Sequence, residues 1–419
     1  MTTKSRLLAV AAVLCAASAS AEVMDKPAGF KIGQRMTLRP YVSLSATYDS
    51  NVGSRHDDKE GDVMWTVNPG FGLDYIAENW NLNLNAFYNY RAYCRSSSTT
   101  DHNHHTYGES LRWNWTDSKG GEKGWSLMLA ESYNRITMAD DMTANGGSYN
   151  ADHEQFQVSG AVQRRFNEMW HGDINMSYYW LDYDNDNRSY SSLYGWQRWT
   201  VGAEVGFAPS KWTDIILAAG YHGYTQDNAG RYNRVDGSSR RISGSSNGYT
   251  VQGGIGSYAT ERISYRLLGG FSRFEYGNGA KSKNGFTYSA SGNWKISDTL
   301  NTMLLATSYY QPSEREYASA SRVDSLSWGI AKSLVRGKLN ATFDIVYRRE
   351  THEHVGTSSG NYVLDIISGR IGLRYTLNRF LSLFSYAEYL NSWNDHSSDR
   401  NGAYDYDRWR VTGGLSFTY

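Results

Sequence analysis

Arg112, Arg198, Arg266, Arg370, Arg374, Arg408 and Arg410 carry guanidiniums, which can pair with anionic groups. Each has an apolar or small residue beside it, as in Arg198-Trp199 and Arg408-Trp409-Arg410. In an extended chain successive side chains point to opposite faces, so the arginines share one face and their apolar neighbours take the other. A cation facing lipid at mid-membrane costs about 2–4 kcal/mol, so a chain whose apolar face meets lipid must turn its arginines toward water. There they can line a constriction that favours anions, as rings of charged side chains do in pores. Glu204 falls on the same face as Arg198, and with Asp74, Asp344 and Glu388 it can instead neutralise the arginines in a balanced network. Both arrangements fit the sequence.

Other clusters promise less. Asp182-Tyr183-Asp184-Asn185-Asp186 opens like a calcium loop, with carboxylates at alternate positions. The pattern then breaks, because Asn187 stands where the sharp-turn glycine belongs and Leu193 where the bidentate glutamate belongs. A solvated acidic loop is expected there. His102-Asn103-His104-His105 and His352-Glu353-His354 lack the spacing of a closed zinc site. No nucleophile elbow of the G-x-S-x-G type is expected, and no Ser, His and Asp set stands out. Neither catalysis nor a cofactor nor a bound metal is therefore expected. The balance of 42 basic and 42 acidic residues argues against a nucleic-acid partner.

The elements that must carry these residues show most plainly at the C-terminus. Trp409, Val411, Gly413, Leu415, Phe417 and Tyr419 alternate with Arg408, Arg410, Thr412, Gly414, Ser416 and Thr418. Such a strand has one largely apolar face and one wet face, and ends on an outward aromatic, as the closing strand of a transmembrane barrel requires. The same alternation gives Leu82, Leu84, Ala86, Tyr88 and Tyr90 against Asn81, Asn83, Asn85, Asn89 and Arg91, and Ile367, Gly369, Ile371, Leu373 and Tyr375 against Ser368, Arg370, Gly372 and Arg374.

Strand-length segments are expected at 36–48, 62–76, 80–93, 105–116, 124–137, 153–166, 171–182, 195–208, 212–225, 248–259, 262–275, 285–296, 299–310, 321–333, 338–350, 362–376, 379–391 and 404–419. This is an all-β, antiparallel up-and-down transmembrane β-barrel of about 18 strands. Connections after odd-numbered segments are the longer ones, such as 226–247, and those after even-numbered segments are short, such as Glu78-Asn79. Short periplasmic turns and longer external loops are the usual asymmetry.

The N-terminus agrees. Lys4 and Arg6, the apolar run Leu7 to Ala17, and Ala19-Ser20-Ala21 have the three parts of a signal peptide spanning 1–21. Residues 22–35 then form a short periplasmic segment and 36–419 the barrel. A bacterial outer-membrane location follows. The mean hydropathy of −0.60 does not oppose it, since only alternate residues of a barrel strand face lipid. With 33 Tyr and 14 Trp the chain can furnish interfacial girdles. Cleavage after residue 21 leaves Cys94 alone, so no intrachain disulfide is expected.

The signal peptide, Tyr48-Asp49-Ser50-Asn51-Val52 at the end of the first strand, the two-residue alternation and the terminal Leu415-Ser416-Phe417-Thr418-Tyr419 together resemble the putative beta-barrel porin type 2 family. The resemblance implies a porin-like role, with Leu415, Phe417 and Tyr419 read by the barrel assembly machinery. It also leaves open an association with exopolysaccharide export. The expected partners are outer-membrane lipid, the assembly machinery and small hydrophilic solutes or glycan. Passive diffusion is the leading expectation, because barrels of about 16–18 strands leave an aqueous channel; a structural or adhesive surface barrel is the third.

Overall fold

The computed structural model describes residues 29–52, 59–94, 104–117, 124–136, 153–183, 196–210, 212–226, 231–233, 239–241, 245–257, 262–276, 282–312, 318–335, 337–354, 362–394 and 405–419. All regular structure among them is strand. In chain order the strands are β1 (Phe30–Ile32), β2 (Met36–Asp49), β3 (Asp62–Ile76), β4 (Trp80–Tyr93), β5 (His104–Thr116), β6 (Gly124–Ile136), β7 (His153–Arg165), β8 (Trp170–Tyr183), β9 (Trp196–Ser210), β10 (Thr213–Gln226), β11 (Arg231–Asn233), β12 (Ser239–Arg241), β13 (Ser245–Gly256), β14 (Ile263–Tyr276), β15 (Lys283–Ser297), β16 (Leu300–Pro312), β17 (Ala318–Val335), β18 (Leu339–His354), β19 (Tyr362–Thr376), β20 (Leu381–Asn394) and β21 (Tyr406–Thr418).

Strands β2–β10 and β13–β21 make an eighteen-strand wall in which each pairs antiparallel with its neighbour. β10 pairs with β13 past the small β11–β12 hairpin, and β21 returns to β2 from Tyr41↔Thr418 to Asp49↔Arg410. The sheet is therefore closed and has no free edge along its length. These eighteen strands are the segments expected from the sequence, with ends shifted by a few residues: 321–333 lengthens to Ala318–Val335, and 248–259 slides to Ser245–Gly256. Two features were not expected. β1 folds back on β2 through Phe30↔Leu38, and the stretch 226–247, expected to be loop, contains the β11–β12 hairpin.

The two-residue period sets the faces. In β2, Met36, Leu38, Pro40, Val42, Leu44, Ala46 and Tyr48 share the outer face, and Thr37, Arg39, Tyr41, Ser43, Ser45, Thr47 and Asp49 the inner one. The pairing carries this alternation round the ring, as in Leu44↔Val67 and Leu44↔Leu415. A one-residue slip would turn every such set over, so the register is held by the whole face. The outer side chains form an exposed apolar belt that includes Trp65, Phe71, Val205, Leu217, Phe271 and Ile371. So large an exposed apolar surface is unlike that of a soluble monomer.

One end of the wall is closed by short turns. Two of them use the same device: Asn167 Oδ1 accepts from the amides of Met169 and Trp170 at 2.9 and 2.8 Å, and Asn378 Oδ1 from those of Phe380 and Leu381 at 2.9 and 3.0 Å. At the β17–β18 turn Gly337 takes φ 70°, a backbone conformation that side chains with a Cβ resist. Pro69 sits inside β3 and has no N–H to donate. Beside it the β3–β4 ladder skips from Val67↔Tyr90 to Gly70↔Phe87.

Candidate functional site

Because the wall is closed, every inner face shares one interior. Register places all eight predicted residues there: Arg112 opposite Asn83, Arg198 opposite Tyr179, Glu204 opposite Asp173, Arg266 opposite Gly256, Arg370 opposite Asp344, Arg374 opposite Asn340, Arg408 opposite Leu390 and Arg410 opposite Asp49.

Their charges sort into two groups. In the first, carboxylates neutralise the guanidiniums. Arg266 meets Glu204 through two nitrogens, the Nη1 contact being 2.8 Å, in a bidentate pair of the strong kind. Asp173 and a His171–Asp214 pair at 3.0 Å stand close by at the short-turn end. Arg370 Nε approaches Glu388 Oε1 at 3.4 Å and its guanidinium lies 4.1 Å from the Tyr386 ring centroid. Arg408 and Arg410 both donate to Asp49, by Nε contacts of 2.8 and 2.7 Å, across the β2–β21 seam. Asp49 is 1% and Arg408 2% exposed, which makes this the most deeply buried of the ion groups. Asn51 completes the join, its amide donating to Asp49 Oδ1 at 3.0 Å and its Nδ2 to the Asp407 carbonyl at 3.1 Å.

The second group has no carboxylate partner among the described residues. Arg112 donates to Asn114 Oδ1 at 3.4 Å and touches Met128 Sδ at 3.2 Å. Arg374 makes no ion pair among them. Arg198 lies 6.0 and 5.7 Å from the Tyr179 and Trp196 ring centroids. Among the described residues the interior thus contains both arginines paired with carboxylates and arginines without a carboxylate partner. Asp49 was missed from the sequence as a partner of Arg408 and Arg410. Its signal was available, since it continues the inward alternation of β2 to that strand's end. Asp74, expected in the same network, instead pairs with Arg39 and accepts from Asn83 Nδ2 at 2.5 Å.

Of the histidine and acidic clusters only part lies among the described residues. His104 and His105 fall on opposite faces of β5, His104 buried and His105 hydrogen-bonded to the Tyr88 hydroxyl at 2.5 Å on the outside. His102, Asn103 and Asp184 to Asp186 lie outside the described residues, as do the side chains of His352 to His354. Among the described residues no three His, Cys, Asp or Glu side chains converge as a metal group. One reading needs correction: the string G-x-S-x-G does occur, at Gly244 to Gly248 and Gly356 to Gly360. Ser245 to Gly248 of the first lie within β13 rather than at the strand-to-helix turn of an elbow, and the second lies outside the described residues.

The profile of the putative beta-barrel porin 2 family matches residues 25–417. The chain belongs to that family. No curated protein matches it. Among solved structures it is similar to the siderophore receptor PirA from Pseudomonas aeruginosa, at 7% identity and TM-score 0.45 over 93% of this chain and 81% of that one. It is likewise similar to PirA from Acinetobacter baumannii, at 8% identity and TM-score 0.46 over 93% and 81%. The iron transporter FrpB from Neisseria meningitidis follows at 10% identity and TM-score 0.47, over 91% of this chain and 67% of that one. At these TM-scores the cargo of those proteins says nothing about what this chain carries.

In this porin-family barrel the C-terminal residues expected to guide assembly also tie the cylinder together. Leu415, Phe417 and Tyr419 face outward. The Tyr419 ring stacks between Phe30 of β1, at 3.9 Å between centroids, and Phe380 of the β19–β20 turn, at 5.2 Å. β1, invisible to the alternation, supplies one side of that stack.

Proposed function

We propose that this chain is a porin-like channel of the bacterial outer membrane, reached after export and cleavage of residues 1–21, and that it passes small hydrophilic solutes by diffusion. One observation carries the reading: eighteen strands close on themselves with the polar side of each turned inward and the apolar side outward. Closure satisfies the backbone groups that hydrocarbon would otherwise leave unpaired at several kcal/mol each. A barrel of this strand number has room for water, since barrels of about 16–18 strands leave a channel. The apolar belt supplies the lipid-facing surface, and Leu415, Phe417 and Tyr419 are the residues through which the assembly machinery would take hold. Planar-bilayer recording of the purified full chain tests the proposal. Stepwise ohmic conductance is expected; a folded barrel that passes no current at any voltage would sink it.

A further inference from the structure

At the long-loop end of β8, β9, β10 and β13 the interior holds a group of polar atoms that meet neither water nor a hydrogen-bond partner. Arg198 Nε, Trp196 Nε1, His222 Nε2 and Ser246 Oγ are each shielded from water and have no hydrogen-bond partner. Other such atoms occur round the barrel, some of them as neighbours, but this is the largest group of them among the described residues. Pairing sets Arg198 opposite Tyr224 and Tyr224 opposite Ser246, and in the next row Thr200 opposite His222 and His222 opposite Gly248. Trp196 is held in place by Tyr179 on one side, at 4.6 Å, and Tyr224, at 5.3 Å. His222 packs 5.8 Å from the Phe274 ring and lies over Gly248, where an added Cβ would stand 2.0 Å from Nε2. Buried polar groups are normally satisfied, so a cluster that is not marks a place where an acceptor enters.

The chemistry of that acceptor can be read from the donors. Arg198 and Trp196 only donate, while the Ser246 hydroxyl and the imidazole can do either. No carboxylate of the described residues pairs with Arg198, so the charge to be met is negative and single; a dianion would call for a second unneutralised cation beside it. The flat guanidinium suits a carboxylate better than a spherical ion. The indole N–H, the hydroxyl and the imidazole then suit hydroxyl oxygens. Tyr179 already stacks on Trp196 and Tyr224 lies tilted against it, which disfavours stacking of a sugar ring there.

We propose that Arg198, Trp196, His222 and Ser246 form a binding station for hydroxylated monocarboxylates inside the barrel. The proposal rests on the channel reading and names a solute class for it. Gluconate is the probe, titrated by calorimetry into the full-length barrel in detergent micelles, with glucose and sulfate as comparisons. Saturable gluconate binding is expected, weakened about tenfold or more by Arg198→Gln and several-fold by Trp196→Phe, which keeps an aromatic ring and removes the N–H. Lys59→Gln, at an exposed lysine by the β2–β21 join, should leave it unchanged. Gluconate that fails to saturate, equal binding of glucose, tighter binding of sulfate, or indifference to Arg198→Gln overturns the proposal. Because the titration needs no current, a barrel that binds gluconate but does not conduct would refute the channel and keep the station. One that conducts without binding would do the reverse.

Discussion

At the scale of single residues, the join between β2 and β21 is the point at which the interior charges matter most for stability. Asp49 is buried with two guanidiniums on it, and removing one member of such a group leaves charge stranded in a poorly solvated place. Asp49→Ala should therefore cost about 3–5 kcal/mol, the usual penalty for breaking a buried pair. Lys59 and Asp407 form an exposed pair in the same region, and Lys59→Ala should cost under about 1 kcal/mol. Urea unfolding of the two variants in lipid vesicles checks the contrast; equal losses would mean that the seam is not held by charge. The Tyr48-Asp49-Ser50-Asn51 stretch can be recognised in the sequence as a family mark, but its chemistry cannot, because Asp49 and Arg408 are 359 positions apart. Pairing between charges depends on which strands meet, and no local pattern encodes that.

At the scale of the element, each strand must keep lipid on one side and water on the other, and this requirement is what made the strands readable. Val201 on β9 is outward and lies between Met176 and Tyr221, while its neighbour Thr200 is inward and bonded to Ser177 at 2.5 Å. Val201→Arg should destabilise the barrel in vesicles by about 2–4 kcal/mol, the cost of a cation against hydrocarbon. Thr200→Arg should cost markedly less, because its head group enters the interior. If both variants unfold alike, the faces have been assigned wrongly. β1 escaped notice for the complementary reason: three residues are too few to show a period, and Phe30–Ile32 is defined by its contact with β2 and Tyr419. The β11–β12 hairpin was hidden by its Gly- and Ser-rich surroundings, whose composition reads as loop. The shielded group around Arg198 was half legible, in that the arginine stood out while Trp196 and His222 carried no motif and Ser246 lay in a G-x-S-x-G string that is part of a strand rather than an elbow.

At the scale of the whole molecule, stability belongs to the ring more than to any strand, since a strand's backbone groups are satisfied only by its neighbours. β21 pairs on both sides, with β20 from Leu381↔Phe417 and with β2 to Tyr41↔Thr418, so removing it opens two ladders at once. The opened sheet would expose two rows of unpaired N–H and C=O groups, which lipid penalises and which invite pairing between chains. Full-length protein should accordingly run as a compact, heat-modifiable band on detergent gels, shifting only after boiling. A chain truncated before Tyr406 should give no such band and should aggregate on refolding. Tyr419→Ala leaves both ladders intact and removes only the stack with Phe30 and Phe380, interactions that contribute about 0.5–1.5 kcal/mol each, so it should keep the compact band while lowering the temperature of the shift. A truncated chain that still shifted on heating would mean that closure through β21 does not hold the cylinder.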